Sequence, residues 1–216
     1  MNHVIEDFLL PDEIENVRLL SNVTAWMDGA ATAGGAARSV KHNKQATSGP
    51  AVDAVARYVA ARVRSGVGVG PLFVRHCHGL MLARYEPGME YGWHVDNAMM
   101  AGSRRTDISA TIFLSEADAY SGGLLHVDGA APLTLRAGSL YTYPSTSLHR
   151  VTPVTSGERL VAVFWIESWI RDAQQRETLD DLASAGLEIF ASQGKSSAYD
   201  KISRARENLI RAWAEG

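Results

Sequence analysis

The pattern that most limits this chain begins at Leu72. From there to Trp169, short apolar or alternating segments are separated by Gly, Pro and Ser. Alternation of apolar and polar residues marks a strand with one buried face, and Gly and Pro punctuate such strands. The pattern predicts strands near 73–85, 91–96, 106–114, 124–127, 133–136, 139–143, 148–154 and 159–168. About eight strands at this spacing fit a sandwich, a jelly roll or a small barrel.

The flanks read differently. Pro11 to Leu20 opens with Pro and acids and then sets Ile14, Val17 and Leu20 on one face, which predicts a helix. Ala51 to Arg64 predicts a second, with Val52, Val55, Tyr58 or Val59 and Val63 as its buried stripe. Gly66, Gly68 and Gly70 before Pro71 should end it. They do not form a dinucleotide fingerprint, because they follow a helix and lack the full spacing. Residues 28–50 are rich in Gly, Ala, Ser and Thr and are expected to form a mobile loop, with a strand near Val40. Arg171 to Ala185 and Tyr199 to Ala214 have helical spacing. The expected organisation is one domain over 1–216, with a β core at about 72–169 and a helical extension at about 170–216.

Composition narrows the function classes. Apolar residues make up 46% and charged residues 21%, enough for a full core. A net charge of −3 gives no reason to expect nucleic acid or an anionic membrane as a partner. Cys77 is the only cysteine, so an intrachain disulfide and a thiolate metal cluster are both excluded. It lies in an apolar stretch and reads as a buried, inert thiol. The N-terminus has no basic segment followed by an apolar one, so no signal peptide is expected. The most apolar run, Leu160 to Ile166, is far shorter than the ~20 residues of a membrane span. A cytoplasmic enzyme is the expectation.

The strongest chemical signal is Tyr91-Gly92-Trp93-His94-Val95-Asp96-Asn97. On a strand, residues two apart point to the same side, so His94 and Asp96 can offer one ion an imidazole nitrogen and a carboxylate oxygen. His149, on a late strand, supplies a third ligand. Two His and one carboxylate on one face of a metal leave open positions, the arrangement of non-haem Fe(II) oxygenases. A bidentate 2-oxo acid and O2 fit those positions. The distal carboxylate of 2-oxoglutarate needs an anchor, and Arg159, ten residues after His149, is a planar fork suited to it. Tyr85 is placed to add a phenolic hydrogen bond.

The sequence also carries a decoy. His126-Val127-Asp128 has the same spacing, but it follows the turn-like Ser121-Gly122-Gly123 and lies close to His149 in the chain. It is expected to be structural. His76 and His78 share a strand face without a nearby carboxylate and are also read as structural. His42 is expected near the mouth of the site, and His3 in solvent.

The motifs resemble those of the PKHD-type hydroxylases, a bacterial branch of the prolyl-4-hydroxylase-like Fe(II)/2-oxoglutarate dioxygenases. The matching pieces include Val40-Lys41-His42-Asn43-Lys44-Gln45, Arg84-Tyr85-Glu86-Pro87-Gly88 and His94-Val95-Asp96-Asn97-Ala98. They continue with Arg105-Thr106-Asp107 through Glu116, Tyr143-Pro144-Ser145-Thr146-Ser147-Leu148-His149, Gly157-Glu158-Arg159 and Trp169-Ile170-Arg171-Asp172. The resemblance implies a mainly β fold, a double-stranded β-helix or jelly roll flanked by helices. It implies iron at His94, Asp96 and His149, 2-oxoglutarate at Arg159, and Tyr85 beside the co-substrate. One departure is Gly122-Gly123-Leu124-Leu125, where relatives usually show Gly-Gly-Glu-Leu; the lost acid should alter a polar contact near the site.

The expected reaction is hydroxylation of a small-molecule, amino-acid or peptidyl substrate, with release of succinate and CO2 and with ascorbate as an auxiliary cofactor. Lys41, Asn43, Asn97, Arg104 and Arg105 are the candidate substrate contacts. Residues 28–50 are the candidate lid, and the C-terminal helices a candidate homodimer surface. Two competing readings use the same ligands: a zinc hydrolase, and a jelly-roll sensor that binds iron or 2-oxoglutarate without turnover. The lack of an evident general-base Glu near His94, together with Arg159, weighs against hydrolysis.

Overall fold

The computed structural model describes residues 2–66, 69–100 and 103–215. Its centre is a sheet of seven antiparallel strands. In spatial order they are His3–Ile5, Leu140–Pro144, Ile108–Phe113, Arg159–Ser168, Val74–Tyr85, Lys44–Ala46 and Met27–Asp28. A second sheet has four strands, in the order Leu125–Val127, His149–Val151, Glu90–His94 and Lys41–His42. Two short antiparallel pairs, Met99–Met100 with Arg104–Arg105 and Tyr120–Gly122 with Val154–Gly157, complete the β structure of the described residues.

Strand alternation divides the large sheet into two faces. On its central strands Leu82, Ile108, Ala110, Ile112, Leu160, Ala162 and Phe164 pack on one side with Phe8, Leu9, Ile14, Val17, Val52, Val55 and Val59. The intervening Ala83, Tyr85, Phe113 and Val161 pack on the other side with Leu125, Val127, Tyr143 and Val151. Helices thus close the first face. The opposite face is turned towards the small sheet, and the cavity described below opens in that space.

Helices α1 (Pro11–Ser21) and α2 (Pro50–Ser65) cover the first face. Pro at the first position and the acids Asp12 and Glu13 in the first turn favour the start of α1. Glu13 ties the two together: its Oε2 accepts from the Leu10 N–H at 2.8 Å and from Arg62 Nη2 at 2.6 Å. α2 ends where Gly66 turns left-handed at φ 70°; Gly68 lies outside the described residues. Helices α3 (Ala173–Gln193) and α4 (Ser197–Trp213) form a hairpin after the sheet. No helix among the described residues is long and apolar enough to cross a membrane.

Several expectations need correction. Residues 133–136 form no strand; only Leu133 bridges to Leu125. The expected strand 148–154 is two, His149–Val151 and Val154–Gly157, broken at Pro153, which has no N–H for a ladder. Residues 28–50 hold two short 3₁₀ turns, Gly29–Thr32 and Gly35–Val40, and the strands Lys41–His42 and Lys44–Ala46. Arg38 Nε donates to both Ala30 O and Ala33 O at 3.2 Å, which binds one turn to the other.

Candidate active site

His94 and His149 lie opposite each other on neighbouring strands of the small sheet. Their ring centroids are 4.1 Å apart. Each ring donates from Nδ1 to a carbonyl two residues earlier on its own chain, His94 to Gly92 O at 2.8 Å and His149 to Ser147 O at 3.1 Å. That bond fixes the tautomer and turns the Nε2 lone pair inward, as metal-bound imidazoles require. Asp96 lies two residues beyond the end of its strand, Glu90–His94, rather than within it. The turn still delivers its carboxylate: Oδ1 is 3.9 Å from His94 Nε2 and 3.8 Å from His149 Nε2. Donors bound to one ion at about 2.1 Å each can lie at most about 4.2 Å apart, and both gaps meet that limit. Among the described residues this trio is the one group of three that could hold a metal ion.

The far side of Asp96 is fully engaged. Its Oδ2 accepts from Ser109 Oγ at 2.6 Å and from Trp165 Nε1 at 2.8 Å. Ser109 Oγ is itself 2.8 Å from Ser145 Oγ. Two donors on one oxygen leave Oδ1 as the free ligand atom. Burial pushes the His94 imidazole down to about 4, with the charge of His149 acting in the same direction. The ring is therefore neutral and a competent ligand at neutral pH. Tyr91 stacks on it at 3.5 Å.

The trio opens into a cavity of about 450 Å³, and Arg159 lies at the cavity wall. Arg159 is 1% exposed, yet its Nε and Nη1 have no hydrogen-bond partner among the described residues. Its register partner on the next strand is Tyr85, and the guanidinium sits 5.1 Å from that ring and 5.5 Å from Phe113. Burial raises the pKa of Tyr85, opposed by Arg159, and raises that of Tyr143 further. Both phenols therefore stay protonated and available as donors. Gly123 makes room for the arginine: its φ is +60°, and a Cβ there would come within 2.9 Å of Arg159 Cδ and Val154 Cγ2.

A PKHD-type hydroxylase of Acaryochloris marina is 43% identical over 219 residues, covering 98% of each chain. The chain belongs to the PKHD-type hydroxylases. A second relative of that name, from Maricaulis maris, is 38% identical over 208 residues and 94% of each chain. The model of the 2OG-Fe(II) oxygenase superfamily matches residues 80–167 of this hydroxylase. Two solved structures share its fold. A Pseudomonas putida prolyl-4-hydroxylase has a TM-score of 0.58 at 21% identity, covering 77% of this chain and 92% of that one. A viral collagen prolyl hydroxylase from Paramecium Bursaria Chlorella virus-1, solved with 2OG, has a TM-score of 0.56 at 16% identity and covers 77% and 96%. The architecture is thus the jelly-roll core of 2OG-Fe(II) oxygenases flanked by helices. The hydroxylase is an Fe(II)- and 2-oxoglutarate-dependent oxygenase.

The residues fit both groups. Two imidazoles that each present Nε2, with one free carboxylate oxygen, are a donor set for Fe(II). A buried guanidinium with unpaired donors is costly unless a carboxylate reaches it. The distal end of 2-oxoglutarate is such a carboxylate.

The other expected residues divide. Lys41 and Asn97 line the cavity. Asn43 and His42 do not; they line a separate outer groove with Trp26, Met27, Arg84 and Met89. Arg104 and Arg105 do not line the cavity either. Arg105 pairs with Asp107 at 3.2 Å and Glu215 at 2.9 Å, and Arg104 meets Glu167 at 3.5 Å. These ion pairs tie the C-terminus to the sheet. His126 sits beside exposed Trp93, at 4.8 Å between centroids, away from the trio. His78, expected to be structural, lines the cavity, and its Nε2 pairs with Arg105 O at 2.9 Å. Leu124 is half-buried and outside the cavity lining, while its neighbour Leu125 lines it.

Sequence reasoning assigned no role to Ser109, Ser145, Trp165, Tyr143 or Gly123. For Ser109 a signal existed. In Ile108-Ser109-Ala110-Thr111-Ile112, the hydroxyls alternate with apolar residues, which marks a polar inner face.

Proposed function

We propose that His94, Asp96 and His149 hold the Fe(II), and that Arg159, with Tyr85 beside it, holds the distal carboxylate of 2-oxoglutarate. The observation that carries this reading is the pairing of two needs in one cavity. A three-donor site with an open side faces a buried guanidinium whose donors lack partners.

When bound, the iron supplies oxidative decarboxylation of the 2-oxo acid by O2 and insertion of an oxygen atom into a C–H bond. The chain's own residues do the rest. Ser109 and Trp165 hold Asp96 to a single ligand oxygen. Gly92 O and Ser147 O hold the two imidazoles in the tautomer that ligates. Arg159 fixes one end of the co-substrate by charge and fork geometry. Tyr143, Leu125, Val151 and Val161 line the surrounding wall and keep it dry.

The substrate is a small molecule, an amino acid or a peptidyl side chain, and it enters where Thr32, Ala33, Gly34 and Asn97 line the cavity. Ascorbate serves as an auxiliary reductant. The enzyme works in the cytoplasm as one domain with no nucleic-acid partner, and the exposed Leu187 and Phe190 of α3 belong to a homodimer contact. Anaerobic loading with Fe(II) and labelled 2-oxoglutarate, followed by O2 and a metabolite panel, tests the reading. Succinate release coupled to a +16 Da product supports it. Turnover with zinc and no 2-oxo acid, or tight binding without turnover, contradicts it.

A further inference from the structure

Lys41 is 5% exposed and lines the same cavity as the iron trio. It sits on the edge strand of the small sheet as the register partner of Tyr91, whose ring stacks on His94. Its Nζ lies 5.0 Å from the Tyr91 centroid. It donates to Thr32 Oγ1 at 2.9 Å and to Gln45 Oε1 at 3.0 Å, both neutral acceptors. An ammonium has three donors, so one is left over.

The charge count in the cavity leaves Lys41 without a partner. Asp96 is the only carboxylate among the described residues that line it. With Fe(II) and 2-oxoglutarate bound, two charges on the metal and one on Arg159 balance Asp96 and the two carboxylates of the co-substrate. Lys41 then holds the one unbalanced charge. Burial lowers its pKa to about 8, despite the opposing pull of Asp96 and Asp28. A desolvated cation is costly unless an anion meets it. Bridging two neutral side chains needs no charge.

Apart from Asn97 and His78, the remaining rim of the cavity is small or apolar: Ala33, Gly34, Ala37, Val95, Met99 and Met100. A cavity of about 450 Å³ that also takes the co-substrate leaves room for a compact molecule. We propose that Lys41 anchors a carboxylate on the substrate, so that the substrate is a small organic acid with an apolar body. This rests on the functional reading above and names the substrate class of that site.

The test uses protein loaded with Mn(II) and 2-oxoglutarate. Hexanoate, L-leucine and L-proline are titrated against their amides by calorimetry, with a blocked aspartyl tripeptide as a further arm. At least one free acid should bind about tenfold tighter than its amide, as expected for one charge-assisted contact. That preference should vanish in Lys41→Met and survive in part in Lys41→Arg. Affinity for 2-oxoglutarate, measured in the same variants, should stay near native and reports that the fold is intact. Four results would overturn the proposal: equal binding of acid and amide, a preference that survives Lys41→Met, no saturable binding of any free acid, or a preference confined to the tripeptide. If Lys41→Met instead loses 2-oxoglutarate, Lys41 belongs to the co-substrate site and the proposal also fails. A native protein that binds no 2-oxoglutarate strikes the functional reading itself, a result distinct from all of these.

Discussion

His94 and His149 are direct register partners on adjacent antiparallel strands, although 55 residues separate them in the chain. The ladder of the small sheet therefore builds the metal site, and each imidazole depends on the other's strand. His94→Ala and His149→Ala should each abolish stoichiometric Fe(II) binding by equilibrium dialysis. His126→Ala should leave it unchanged, because that ring lies beside Trp93 away from the trio. Iron loss in the His126 variant would mean that the other His-x-Asp pair is the site.

Arg159→Gln should raise the dissociation constant for 2-oxoglutarate by about 10- to 100-fold while Fe(II) binding stays near native. The guanidinium is buried with two nitrogens unpaired among the described residues, and the proposed reading gives them the distal carboxylate of the co-substrate. Calorimetry on the Mn(II) protein reads both. An unchanged constant would remove the anchor assignment.

Trp165→Phe and Ser109→Ala each delete one donor to Asp96 Oδ2. Partners of metal ligands typically contribute 10- to 100-fold in affinity, and a loss of that size is expected in each variant. The double variant should lose more than either, since both donors that orient the carboxylate are then gone. A double variant with native iron affinity would show that Asp96 needs no such support.

Gly123→Ala places a methyl against Arg159 Cδ and Val154 Cγ2 at a left-handed backbone position. It should lower stability by about 1–3 kcal/mol and weaken 2-oxoglutarate binding together. Thermal melts with and without the co-substrate separate the two effects. A melt and an affinity both at native values would contradict the cradle.

Burial pushes the Cys77 thiol up to about 11. The thiolate is the reactive form, so labelling at pH 8 should run about 100-fold slower than for a free thiol and become fast on unfolding. Rapid labelling of the native protein would show that this strand opens readily.

Much of this arrangement is legible in the sequence, for reasons particular residues make plain. The unbroken apolar run Leu160 to Ile166 locates one central strand, and period-two alternation over Ile108 to Ile112 locates another together with its two faces. His94, His149 and Arg159 can be read because strand spacing constrains where such side chains point. Asp96 is reached by the same argument, although it lies past the strand end and a turn delivers it. The order in residues 28–50 is not legible. Its Gly, Ala and Ser carry no periodicity, and pairing of Lys44–Ala46 with Val74–Tyr85 creates that order only in the folded sheet. Arg104, Arg105 and Asn43 resemble substrate contacts in the sequence because a charge or amide reads alike in a site and in a structural network. For the two arginines, only partners such as Asp107, Glu167 and Glu215 make the distinction.

The most direct measurement is single-turnover chemistry in native, His149→Ala and His126→Ala proteins. Each is loaded anaerobically with one equivalent of Fe(II) and labelled 2-oxoglutarate and then exposed to O2. Equimolar labelled succinate and CO2 from the native and His126 proteins, with none from the His149 variant, is the expected result. Succinate from the His149 variant at the native yield would contradict the account.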